Sequence, residues 1–181
     1  MPRVIALALS LLVLAAPRPT LARGPSTPEE RKRAVATTRK LEKEPLSRKS
    51  VEARRWLLQW IVEIPDISVT SCHGPLDALQ EDEEGYGQLL YVQSVFGMAA
   101  FLVEHADKKD DWVAVQAAGI ESVLRAYEAI RKADSEARWK ALDRLAAAQK
   151  AGKLRAIVKD EMAECGKPEE ERMGPLPRDA I

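Results

Sequence analysis

The chain has 181 residues, with 28 Lys+Arg against 28 Asp+Glu and 46% apolar side chains. That length suits one domain with a real core, and balanced charge with this apolar content excludes a disordered chain or one coated in a single sign. Aromatics are only 5%, while Ala is abundant, which favours helices over a β-sandwich.

Residues 1–22 read as a cleaved secretory signal peptide. Arg3 is the positive start, Val4 to Ala16 is an apolar run broken only by Ser10, and Thr20-Leu21-Ala22 offers small residues for cleavage. A membrane span needs about 20 apolar residues, more than this run supplies. The mature chain is therefore expected to be exported, periplasmic or extracellular, with no transmembrane segment. Its charge is graded: residues 23–55 carry 11 basic and 5 acidic groups, residues 56–111 carry 2 and 11, and residues 112–181 carry 13 and 12. Solvated faces account for such blocks, and a basic arm for an anionic partner is the sharper alternative. Nucleic acid is not an expected partner: the chain is exported, and no aromatic interrupts the basic stretch to stack on bases. An anionic membrane or a polyanionic glycan fits the arm.

The segment 23–46 reads as a short linker followed by a basic helical arm. Thr27, Pro28 and Glu30 form a capping box with proline at the first helical position. The helix has few apolar residues, among them Ala34 and Leu41, so loose packing is expected. Residues 47–166 are the predicted bundle. Ser47 is the expected cap of a helix over 48–64, with Val51, Leu58, Ile61 and Val62 as its inward face. Trp56 and Trp60, four apart, are neighbours on its surface, a core edge or a platform for a flat ligand. Residues 65–87 are a long connector holding Cys72, His73, the acid run Glu81–Glu84 and Tyr86. Connectors of this length are uncommon without a role.

Residues 88–105 are apolar nearly all round, which predicts the most buried helix. Gly97, Ala99 and Ala100 would admit a close neighbour. Trp112 to Ala133 is clearly amphipathic, through Val113, Ala117, Ile120, Leu124 and Tyr127. Ser135 is the expected cap of a helix with Trp139, Leu142 and Leu145 inward and Gly152 past its end. A last helix places Leu154, Val158, Met162 and Cys165 on one face. Residues 167–181 read as a flexible tail. The expected fold is an all-α, single-domain bundle of five or six helices.

Two cysteines in an exported chain predict the disulfide Cys72–Cys165. A thiol nucleophile at Cys72 is disfavoured, because adjacent His73 would point away from it in extended chain. Neither His73 nor His105 is preceded by Glu at the di-iron spacing, and the acid run fails the EF-hand order. No nucleotide-binding loop, serine-hydrolase elbow or covalent haem motif is present, and a tetratricopeptide match from Trp112 fails at Gln116. No catalytic, cofactor or metal residues are therefore assigned. The expected function is a non-catalytic interaction module with an unknown protein partner. The alternatives are a small-ligand binder with a cleft near 65–87, or an enzyme without a local signature. Trp56, Trp60, His73 and Tyr86 are the candidate ligand surface.

Overall fold

The computed structural model describes residues 23–72, 74–82 and 85–167. Residues 1–22, expected to be a signal peptide, the expected tail beyond Lys167, and His73 lie outside the described residues. Among those described there are six α-helices and no strand: α1 (Pro28–Lys43), α2 (Arg48–Glu63), α3 (Gly87–Glu104), α4 (Trp112–Ala133), α5 (Lys140–Lys150) and α6 (Leu154–Glu161). Short 3₁₀ turns occupy Asp77–Leu79, Ala106–Lys108 and Ala163–Gly166.

Helices α3 and α4 are the central pair, with α1 against both, α2 outside α1, and α5 and α6 on the other side of α4. Glycine sets the closeness of the pair. A methyl at Gly97 would collide with Ser122 and sit 2.9 Å from the Ala118 carbonyl, and one at Gly119 would meet Met98 at 2.9 Å. The core has two lobes. One joins Leu90, Ile120, Tyr127 and Ile130 to Leu142, Leu145, Leu154 and Val158. The other joins Ala34 and Leu41 of α1, Leu57, Trp60 and Ile61 of α2, and Phe96 of α3.

Helix α3 is not more buried than its partner. It buries nine of its 18 residues, whereas α4 buries twelve of 22. The reason is position: α4 is covered by α1, α3, α5 and α6, while α3 leaves Leu89, Val92 and Leu102 only partly covered. It is the one described helix long and apolar enough to cross a membrane, yet it lies in the bundle with its Gln93 donating to Ser122 Oγ at 2.9 Å.

The caps follow local chemistry. At α1, Glu30 N–H donates to Thr27 Oγ1 at 3.2 Å and Thr27 N–H returns a bond to Glu30 Oε2 at 2.9 Å. Asp111 caps α4 by accepting from Ala114 N–H at 3.0 Å. Asp82, from the acid run, accepts the Gly87 N–H at 2.8 Å and so starts α3. Gly152 takes φ 70° at the end of α5, where a side chain would be strained.

Three expectations are corrected. Ser135 does not cap α5, which begins at Lys140. Asp134 instead accepts the Glu136 N–H at 3.1 Å in a turn, and Trp139 packs edge-on to Tyr127 at 5.7 Å. Ser47 makes no side-chain cap; Ser50 Oγ–H donates to the Glu44 carbonyl at 2.6 Å. The segment 23–46 is not loosely held. Leu41 is fully buried, and Glu42, 4% exposed, reaches across to α4. Its carboxylate accepts from Ser122 Oγ at 2.7 Å, from Arg125 Nε at 2.7 Å and Nη2 at 2.8 Å, and from Arg39 at 2.9 Å. A polar anchor replaces the apolar residues that α1 lacks.

Cys72 and Cys165 are disulfide-bonded, with Cα atoms 5.8 Å apart. The bond ties the connector to the turn after α6. Further ties hold the connector to the body: Gln116 Nε2 donates to the Thr70 carbonyl at 2.7 Å, and Asp66 accepts from Ser26 N–H and Oγ–H, both at 2.7 Å.

Candidate functional site

Helix α2 carries two apolar stripes, and only one is used. Leu57, Trp60 and Ile61, continued by Ile64, face the core and are nearly inaccessible. Val51, Leu58 and Val62 recur at steps of seven and four, which places them on one line on another side of the helix. Of the inward face expected from sequence, only Ile61 is buried; Val51, Leu58 and Val62 are 52%, 44% and 77% exposed. Leu46, in the turn before α2, is 39% exposed. These four are the large hydrophobic side chains left exposed among the described residues. Singly such residues are ordinary, but three in a line on one helix form a surface.

Arginines edge this stripe. Arg54 and Arg55 lie three and four residues beyond Val51 and one turn before Leu58, so they flank the line on both sides. Arg48 stands one turn before Val51. Among the described residues no carboxylate pairs with Arg48, Lys49, Arg54 or Arg55. Arg54 is half-buried and makes one bond, Nη1–H to the Pro45 carbonyl at 2.9 Å. Burial pushes its guanidinium below the ordinary arginine value. Nearby acids are Glu44, Glu52 and Glu63, and Glu63 is held by Arg23 at 2.8 Å.

The tryptophans serve the core. Trp60 is 2% exposed, Trp56 is half-buried, and their rings stack at 6.1 Å. The Arg33 guanidinium covers Trp56 at 3.9 Å from the ring centre, closing its outer side. Tyr86 packs on the other core lobe, with α3 and α4, so it does not join the tryptophans. The sequence-based surface is therefore not gathered in one place.

Charged groups elsewhere are spent on structure. Burial opposes ionisation of Glu42, but hydrogen bonds from Arg125 and Ser122 outweigh it and hold the carboxyl below its usual value. Burial likewise opposes ionisation of Asp66, and the bonds from Ser26 and Arg31 prevail, leaving a pKa of about 2. A groove of about 550 Å³ opens beside this anchor, lined by Arg39, Glu42, Phe101, Glu104, His105 and Arg125. Arg39 bridges Glu42 and Glu104 there, both at 2.9 Å, so its charges already face each other. Beside the connector are a recess of about 130 Å³ around Ser68, Thr70, Trp112 and Gln116, and an open groove of about 340 Å³ beside Pro65 and Lys109. Among the described residues no group of three or more His, Cys, Asp or Glu is placed to hold a metal ion.

No family model matches the chain, and no curated protein or solved structure matches it.

The surface on α2 was missed because periodicity gives equal credit to both stripes. The signal that separates them is chemical: the tryptophan and isoleucine stripe has the larger side chains, while the valine and leucine stripe is edged by Arg54 and Arg55.

Proposed function

We propose that the chain is an exported, non-catalytic interaction module that docks through the outer face of α2. One observation carries the reading: among the described residues, the exposed large hydrophobic side chains on helices lie in a single line, Val51, Leu58 and Val62, beside arginines that have no carboxylate partner there. A surface of that kind gains by being covered, since apolar area leaves water and cations meet anions. Export is supported by the signal-like start at residues 1–22 and by the disulfide, which persists in an oxidising compartment. The disulfide ties the connector that follows α2 to the turn after α6, and Glu42 ties α1, on which α2 packs, to α4.

The test is native fractionation of the exported protein, comparing the parent with the double variant Leu58→Glu/Val62→Glu. The parent is expected in a larger assembly or a sedimenting fraction, and the variant, still folded by circular dichroism, at the mass of the single chain. A parent that already runs as a lone chain, or a folded variant that stays in the assembly, overturns the reading.

A further inference from the structure

We infer that the surface covered by α2 is a membrane of anionic phospholipid, with Val51, Leu58 and Val62 entering the headgroup layer and Arg48, Arg54 and Arg55 meeting lipid phosphates. The inference rests on the docking reading above and names its partner.

Size speaks first. A stable protein interface covers about 800 Å² on each side, built around buried aromatic or arginine anchors. Three partly exposed aliphatic side chains are a small patch, and the aromatic residues of α2 face the core or lie under Arg33. Shallow membrane insertion asks less: a few apolar residues combined with basic ones give reversible attachment where either signal alone is too weak. Arginine and lysine also keep their heads in the phosphate layer while their stems lie along the apolar stripe.

Charge speaks second. Residues 23–55 hold 11 basic and 5 acidic groups. Beside the stripe Arg48, Arg54 and Arg55 have no carboxylate partner among the described residues; Glu63 is paired with Arg23, which also bonds Glu30, and Glu44 and Glu52 are the carboxylates that oppose. Arg54 adds a specific observation. It is half-buried at the edge of the stripe, with a single hydrogen bond, to Pro45. A planar guanidinium with unspent donors fits the paired oxygens of a phosphodiester.

The test is co-flotation of the purified, disulfide-bonded protein with vesicles of phosphatidylcholine alone, or of equal parts phosphatidylcholine and phosphatidylglycerol. Binding is expected to the mixed vesicles only, and to fall as salt rises. Each neutralised cation should weaken binding about 5-fold, so Arg48→Gln/Arg55→Gln should lose roughly 25-fold. Leu58→Ser/Val62→Ser should lose a comparable amount without changing the helical signal, and Lys132→Gln, on α4, should change nothing. Absence of binding to the anionic vesicles, or equal binding to both kinds, overturns the inference. If vesicles fail while native fractionation still finds the protein in an assembly that Leu58→Glu/Val62→Glu dissolves, the partner is a protein and only the lipid assignment falls. If both fail, the docking reading falls with it.

Discussion

Replacing Glu42 with Ala tests whether α1 belongs to the core. The carboxylate is 4% exposed and accepts four hydrogen bonds, one from Ser122, two from Arg125 and one from Arg39. Removing one partner of a buried ion pair costs about 3–5 kcal/mol when the other charge is left buried. Arg125 is 41% exposed and keeps Glu121 at 3.8 Å, and Arg39 keeps Glu104, so both cations recover water or a partner. Ser122, fully buried, loses its acceptor. The net cost should be about 2–3 kcal/mol, or roughly 5–10 °C in Tm for a domain of this size. Glu42→Gln retains an acceptor for Ser122 and should lose about half as much. Urea unfolding of the disulfide-bonded protein, followed by circular dichroism, reads both values. A loss below about 0.5 kcal/mol for Glu42→Ala would refute the anchor and restore α1 to the status of a loose arm.

Other outcomes follow from the same structure. Reduction of Cys72–Cys165, whose loop spans 93 residues, should remove at most about 4–5 kcal/mol and raise hydrogen exchange in 65–82 before the central helices; unchanged exchange there would contradict the tie. Asp66 has its pKa depressed from 3.8 to about 2, so its stabilisation is complete above pH 3.8 and disappears as pH falls through about 2. Allowing for its partial exposure, about 1–2 kcal/mol is at stake, and Asp66→Asn should flatten the acid limb of a stability-against-pH curve. Gly97→Ala should cost about 1–3 kcal/mol by pushing α3 from α4, and a neutral result in thermal melting would mean that the pair does not touch there.

Helix number, order and type were legible because the punctuation is strong: Thr27-Pro28, Pro45, Pro65, Gly85-Tyr86-Gly87 and Gly152 bound the periodic runs. The pairing of the cysteines was legible because only two exist. Less visible was how α1 is held, since Glu42 meets Arg125 from 83 residues away and sequence periodicity records only apolar faces. The inward side of α2 was hidden for the opposite reason. It offers two apolar lines, and periodicity alone does not choose between them; only side-chain size and the flanking Arg54 and Arg55 do. Trp56 and Trp60 read as a core edge or a ligand platform until Arg33, from another helix, is placed over the outer ring.

The central claim is that the line Val51, Leu58, Val62 is covered when the protein is at work. Photo-crosslinking in the producing cells tests it directly, with a photoreactive residue placed in turn at positions 51, 58 and 62, and at Lys132, which is 74% exposed on α4. The account predicts covalent adducts from the three α2 positions and none from position 132. Adducts of equal yield at all four positions, or at position 132 alone, would contradict it.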